Sequence, residues 1–432
     1  MKSLELVKEL LDKYQKENDD KYLNLALAHF YRWYEVDYPK KSKLPIISNN
    51  LKIICDLLVL CKNQVLHILD EVFIQVLCAY CLILHEEKGD VSDWLNLIYG
   101  SIIYNTIYIN HAFDGYIETA SNSLLNTNHI ITTSLKKTYN LYQQFKSFNT
   151  FIAKYPNYPR LKAFIRSKLG EIKEYLYAFY YPDNLLSLGK ESIKLSSNND
   201  FYTLKPDKTL FIYPHVISLH QKDYRFTYQH YYNENNKFYD NISLTLYFQK
   251  MFLLLPNEEK CLVTINGYNY LHDESQINKA EIVSVKEEVG GILITSINEL
   301  YPETTILSHI MCLDKHLFLF FDIDSINKQT YGINLYLNPK LTLRTSDTSV
   351  TLYYLQEKQL SLNLIYSSIP MFFKEYDSNQ VTFEGQGKKE NIIFHISVGD
   401  VNDDIKILPA ENEYRIMINN EKFYIISKRR YT

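Results

Sequence analysis

From residue 1 to about 185 the apolar positions recur three and four residues apart. Leu4, Val7, Leu10 and Leu11 form one stripe, and Leu23, Leu25, Leu27 and Phe30 belong to the next. This spacing puts apolar side chains on one face of a helix with 3.6 residues per turn. It predicts an amphipathic helix at the start and further helices over 47–61, 64–86, 91–109, 128–148 and 160–180. The short connections between them favour antiparallel helix pairs.

The stretch "PDNLLSLGKESIKLSSNND" breaks this pattern, being polar, with a proline and no helical period. From about residue 201 the period becomes two. "TLFIYPHVISL", "NISLTLYF", "KCLVTING", "GGILITSI", "HLFLFFDI", "GINLYLN", "SVTLYYL", "NLIYSSI", "NIIFHISV" and "YRIMINNEKFYIIS" follow one another across short turn-like pieces. Many strands in succession, with no helical pattern between them, predict stacked antiparallel sheets. The expected organisation is a helical domain at 1–187, a linker at 188–200 and a β-sandwich at 201–432.

Composition narrows the picture by exclusion. A chain of 432 residues is long enough for two or three domains with a real core. A net charge of −4 argues for neither a nucleic-acid nor a lipid surface. The N-terminus "MKSLELVKELLDKYQKE" has no apolar core and no small-residue cleavage site, so it reads as a helix and not as a signal peptide. The most apolar run, Val72 to Leu84, is too short to span a bilayer and contains Gln75. The default expectation is a cytoplasmic protein without a membrane span, or a periplasmic or extracellular one if the chain is a mature form.

The six cysteines are scattered, mostly in apolar runs, and read as reduced core residues. Cys78 and Cys81 have CxxC spacing with His85 after them, but no fourth ligand accompanies them. "DVNDDIKILPAE" puts Asp400, Asn402, Asp404 and Glu411 at the ligand positions of a calcium-binding loop. Its sixth position is Ile405 where glycine is needed, so a turn beside a strand is the better reading. No nucleotide-binding or nucleophile-elbow motif occurs. No cofactor and no metal are expected.

The stretch "NKFYDNISLTLY", Asn236 to Tyr247, joins a polar Asp-Asn turn to an alternating strand. With the strand that follows, it resembles the H-x-H-x-D-[DN]-x-S-x-x-L-Y signature of the heparinase II/III-like polysaccharide lyases. Four other segments resemble that family in the same order. "FDGYIETAS" is similar to D-G-[ST]-x-x-E-x-S in the helical domain. "RSKLGEIKEYLYAFYYPDNLLSLGKES" looks like the segment in which a helix runs into P-D-G-x-x-P-x-x-G-D. "CLVTINGYNYL" resembles the N-T-[VI]-x-[VI]-[DN]-G strand, and "ELYPETTILSHIMCLDKHLFLFFDIDS" resembles the strand pair that ends in a D-x-[IL] turn. The likeness covers roughly residues 85–345.

The resemblance implies an α+β fold, with an N-terminal helical incomplete (α/α) toroid followed by a C-terminal antiparallel β-sandwich. It implies an acidic polysaccharide or oligosaccharide as partner and β-elimination at a uronic acid as reaction. That chemistry needs a group to neutralise the carboxylate, a base for the C5 proton and an acid for the leaving oxygen. The tyrosine content, 38 residues, is suited to stacking on sugars and to proton transfer beside them.

The chain departs from the signature where the chemistry should be. Aligned on Asp240, Asn241 and Ser243, the two motif histidines become Asn236 and Phe238. Phenylalanine neither takes a proton nor binds a metal. Leu124 and Leu125 stand near the place of the family's Tyr-His pair, and Gly189-Lys190 replaces its G-D. The nearby substitutes are Tyr232 and Tyr239 as base or acid, His230 as helper and Asn236 as carboxylate neutraliser. Asp240, Arg160 and Glu118 are further substrate contacts, with Arg166, His215 and His220 in the neighbourhood. Each also has a plainer role. Asp240 suits a hairpin turn, His230 a satisfied core position and Glu118 a solvated helix face. Two functions stay open: a lyase of surface or capsular polysaccharide, or an inactive polysaccharide-binding or scaffold protein of the same fold.

Overall fold

A computed structural model describes residues 4–37, 44–61, 67–87, 89, 91–107, 114, 117–119, 121–122, 134–189, 191–197, 199–201, 209–213, 216–221, 223–230, 243–255, 262–268, 280–288, 291–301, 303–377, 380–410, 412–420 and 422–427. The chain divides into two compact units, Met1–Lys173 and Glu174–Thr432.

The first unit is helical. Its elements are α1 (Glu5–Glu17), α2 (Asp20–Asp37), α3 (Leu44–Leu60), α4 (His67–Glu86), α5 (Val91–Ile107), α6 (Leu135–Ile152) and most of α7 (Pro159–Ala178). The predicted stripe of Leu4, Val7, Leu10 and Leu11 is buried, and α1 ends where Asn18 turns left-handed at φ 52°. Ser134 caps α6, accepting a 3.2 Å hydrogen bond from the Lys137 amide. Pro159 opens α7, where a missing N–H costs nothing. Gly100 lets α5 lie close against α3, since a Cβ there would sit 3.1 Å from Cys55 Sγ. Among the described residues, no helix is long and apolar enough to cross a membrane.

The second unit is built from antiparallel strands. β1 (Tyr180–Tyr181), β2 (Leu185–Leu188) and β3 (Glu191–Lys194) form a small sheet directly after α7. β4 (Leu210–Tyr213), β5 (Val216–His220), β6 (Tyr224–Gln229), β7 (Ser243–Phe248) and β8 (Met251–Leu254) form a five-stranded meander. A ten-stranded sheet holds β9 (Val263–Ile265), β10 (Ala280–Glu288), β11 (Gly291–Tyr301), β12 (Thr304–Leu313), β13 (His316–Tyr336), β14 (Thr342–Thr345), β15 (Ser349–Tyr354), β16 (Glu357–Ser367), β17 (Met371–Asp377) and β18 (Gln380–Val398). Its order is β10-β11-β12-β13-β18-β16-β15-β14, with β17 on β18 and β9 on β13. β19 (Ile405–Pro409), β20 (Glu413–Ile418) and β21 (Lys422–Ser427) complete the chain as a third layer.

Alternation along the strands makes two cores. Tyr224, Phe226 and Tyr228 of the meander meet Ile306, Ile310 and Cys312 of the large sheet, with Phe383 and Phe394 beside them. On the opposite face of the large sheet, Met311, Leu313, Phe318 and Phe320 pack against Tyr414, Ile416 and Ile426 of the last sheet. Hairpins close with two left-handed residues at Gln249-Lys250, Leu355-Gln356 and Asn419-Asn420, the backbone twist that two-residue hairpins need.

The stretch 188–200, expected as a linker, contains β3, and Leu188, Leu195 and Phe201 on or beside it are buried. Its apolar residues are spaced for a short hairpin, and the division between compact units falls earlier, within α7.

Candidate functional site

Strand β6 ends one residue before His230, the first of the candidate residues on this part of the chain. Its alternation puts Tyr224, Phe226 and Tyr228 on the inner face, paired across β7 with Phe248, Leu246 and Leu244. His230 continues that face one residue beyond the strand and is fully buried. The chain then enters the segment holding Tyr232, Asn236, Tyr239 and Asp240, all of which lie outside the described residues, as do Phe238 and His215.

The ring of His230 is held at both nitrogens. Nε2 lies 2.8 Å from the carbonyl oxygen of Ile297, and Nδ1 lies 3.0 Å from the hydroxyl of Tyr228. A carbonyl only accepts, so Nε2 carries a proton; in the neutral ring Nδ1 then accepts from Tyr228. The Tyr228 oxygen is 2.6 Å from Ser296 Oγ, which donates to it in turn. Burial pushes the Tyr228 phenol well above its ordinary range, while the Ser296 contact pulls the other way. This chain fixes the ring where the 231–242 segment begins.

Arg160, in the first turn of α7, is exposed, as are Arg166 and Glu118. These three belong to the first unit and His230 to the second. His220, at the end of β5, donates from Nε2 to the carbonyl of Ala178 at 2.9 Å. Burial, with the Arg225 charge adding to it, lowers its pKa to about 4, so the ring is neutral at physiological pH.

The outer face of the meander is covered by the end of α7 and by β1. Tyr175 packs edge-on against Tyr213, Ser218 donates to the Ala178 carbonyl at 2.6 Å, and the Tyr181 hydroxyl lies 3.3 Å from Thr227 Oγ1. Within this layer sits Arg225, paired across the sheet with His220 and Tyr247. Sequence reasoning passed over it, although a lone arginine in the apolar run "YRFTYQ" is itself a signal.

A second buried polar group joins the large sheet to the C-terminal layer. His316 Nδ1 lies 3.0 Å from His395 Nε2, and His316 Nε2 lies 3.0 Å from Asp403 Oδ2. Asn419 donates to the other oxygen of Asp403 at 2.7 Å, which with His316 holds this carboxyl below its ordinary range. Asp403 thus serves a packing contact, and β19 begins at Ile405, where a calcium loop would need its sharp turn. Cys78 is exposed and Cys81 buried on α4. Among the described residues no group of three or more His, Cys, Asp or Glu is placed to hold a metal ion. Two surface clefts of the second unit, of about 740 and 670 Å³, contain none of the candidate catalytic or substrate-binding residues.

No protein-family model matches the chain, and no curated protein matches it in sequence. Solved structures do. A mutant of heparan sulfate lyase HepC from Pedobacter heparinus superposes with a TM-score of 0.72 at 10% identity, over 99% of this chain and 82% of that one. A heparinase III gives 0.65 at 10% identity, over 98% and 82%. Chondroitinase AC lyase gives 0.56 at 11% identity, over 96% and 79%. The chain has the fold of the heparinase II/III-like lyases, an N-terminal helical (α/α) toroid type followed by an antiparallel β-sandwich.

Proposed function

We propose that this chain acts on an acidic polysaccharide by β-elimination at a uronic acid, in surface or capsular polysaccharide metabolism. The observation that carries the proposal is fold likeness to heparan sulfate and chondroitin lyases along nearly the whole chain, both units included. Fold alone does not assign chemistry, so the residues must supply it.

Elimination removes the proton from C5, breaks the C4–O4 bond and leaves a C4=C5 double bond in the new non-reducing uronate. Its difficulty is the negative charge that gathers on the carboxylate as C5 loses its proton. Asn236 hydrogen-bonds that carboxylate, and Tyr232 or Tyr239 takes the proton and returns one to O4. His230, held by Tyr228 and Ile297, is their helper. Asp240, Arg160 and Glu118 contact flanking sugar units.

A second reading is favoured by a specific observation. The motif positions that should be histidine are Asn236 and Phe238, and both nitrogens of His230 are engaged. A polysaccharide-binding protein without turnover fits this as well. An ultraviolet assay for the unsaturated product, run beside a binding assay on the same panel of uronic-acid polymers, separates the two.

A further inference from the structure

We infer that the 740 Å³ cleft of the second unit is a binding site for an uncharged saccharide, separate from the 231–242 segment and independent of any elimination chemistry. Strand pairing fixes its place. Tyr224 pairs with Phe248 at one end of β6, and Gln229 with Ser243 at the other. The cleft is lined by Asp223, Phe248 and Gln249, so it lies at the end of the meander away from His230. The turns β5–β6, β7–β8, β12–β13 and β15–β16 converge there with the exit of β18. Its volume is ordinary for a small-ligand site.

Gln359 lines the cleft although only 3% of it is exposed. Its Nε2 donates to the Glu357 carbonyl at 3.3 Å, and among the described residues nothing donates to its Oε1. Gly399, left-handed at φ 81°, donates its N–H to the Gln359 carbonyl at 2.7 Å and lets the exit of β18 pass Phe248. Two of the converging turns hold glutamine where the backbone disfavours it, Gln249 at φ 45° and Gln356 at φ 70°. Two-residue hairpins of this twist favour Asn or Gly, and the β20–β21 turn uses Asn419-Asn420. The two glutamines thus stand against local preference, and each adds an amide to the lining.

The charges in the cleft select a neutral ligand. Lys358 is spent on the Val401 carbonyl at 3.3 Å and on Asp400 at 3.8 Å. Lys315, Asp223 and Glu357 are exposed and, among the described residues, have no ion-pair partner. An oxyanion here would meet two carboxylates, and a cation would meet Lys315. A hydroxyl suits every group: it accepts from an ammonium or an amide N–H and donates to a carboxylate or an amide oxygen. The amides of Gln249, Gln356 and Gln359 offer both roles as well. Tyr353 adds a half-buried ring to the lining, held by the Arg344 guanidinium 4.7 Å from its centroid. Such a ring suits the apolar face of a pyranose.

The test is titration calorimetry of the full chain at constant ionic strength. The probes are cellobiose, maltose, lactose and N,N′-diacetylchitobiose, with sodium glucuronate and glucosamine hydrochloride as charged sugars. At least one neutral disaccharide should bind, and neither charged sugar should match it. The double variant Gln249→Gly with Gln356→Gly should weaken that binding about tenfold or more. Glycine relieves the left-handed backbone, so the urea midpoint of this variant should not fall. Asp223→Ala, at an exposed turn residue, should weaken binding likewise and keeps the test open if the double variant unfolds. Binding of none of the disaccharides, unchanged affinity in the folded variants, or equal binding of glucuronate or glucosamine overturns the site. Loss of uronic-acid polymer retention in the folded double variant also overturns it, by making the cleft part of a polyanion site. Neutral binding that depends on the glutamines, in a chain that retains no uronic-acid polymer, upholds the cleft while the reading under Proposed function fails.

Discussion

The hydroxyl of Tyr228 lies 3.0 Å from Nδ1 of His230, two residues further along the same face of the sheet. The contact ties a buried strand to the first residue of the segment that carries the candidate chemistry. Replacing Tyr228 by phenylalanine keeps the ring in the core but leaves His230 Nδ1 and the Ser296 hydroxyl without their bond. A buried polar group so deprived costs about 1–3 kcal/mol. Urea unfolding of Tyr228→Phe should show that loss of stability. An unchanged midpoint would mean that the bond is not formed in solution.

Stability should fall in mild acid. Burial lowers the pKa of His309 to about 4, and burial with the neighbouring His316 lowers that of His395 to about 3. With His220 at about 4, three rings are held neutral in the fold. Unfolded histidines titrate near 6.5, so between about pH 6.5 and 4 the unfolded chain binds more protons than the folded one. The stabilisation is therefore complete above about pH 6.5 and is lost as pH falls towards 4, by up to roughly 3 kcal/mol for each ring. Denaturant midpoints at about pH 7.5 and 5 check this, and His309→Gln should flatten the difference. A midpoint that does not move with pH would contradict it.

Tyr181 is the closest test of the layered sheet. Its ring lies 5.1 Å from that of Tyr247 and 4.7 Å from that of Phe252, and it is buried. Tyr181→Ala should cost about 3–5 kcal/mol by leaving a cavity over the meander. Tyr181→Phe gives up only the 3.3 Å contact to Thr227 and should cost about 1 kcal/mol or less. Equal losses in the two variants would show that packing of the ring is not what matters.

Under the proposed mechanism, Tyr232→Phe should abolish elimination and leave polymer binding and folding intact, because only a hydroxyl is removed. Asn236→Ala should weaken both binding and turnover by about 1–3 kcal/mol, the cost of a lost hydrogen bond to a charged group. Kinetics and binding measured on both variants would separate the roles. Full elimination activity in Tyr232→Phe would pass the proton transfer to Tyr239.

The change of hydrophobic period was enough to read a helical half followed by a sheet half, because local periodicity reports which face of an element is buried. The expected helix at 160–180 is Pro159–Ala178, and that at 91–109 is Val91–Ile107. What the period could not give was the second cover on the meander. Ser243, Thr245 and Tyr247 read as the solvent face of an alternating strand, yet all three are buried with Leu244 and Leu246. Tyr247 is covered by residues more than sixty positions earlier, Tyr181 and Asp183. The same long-range packing hid Arg225, whose meaning comes from the rings around it. It also makes His230, the expected helper, a buried and doubly held ring, since Ser296 and Ile297 lie on a distant strand.

The most direct test of the central claim combines turnover and binding on one panel: heparan sulfate, chondroitin, alginate and a neutral glucan, each incubated with the full chain. The account predicts a rise in ultraviolet absorbance from a C4=C5 uronate with at least one acidic polymer and none with the glucan. Retention of an acidic polymer without that rise would select the binding reading. Neither absorbance nor retention with any uronic-acid polymer would contradict the account.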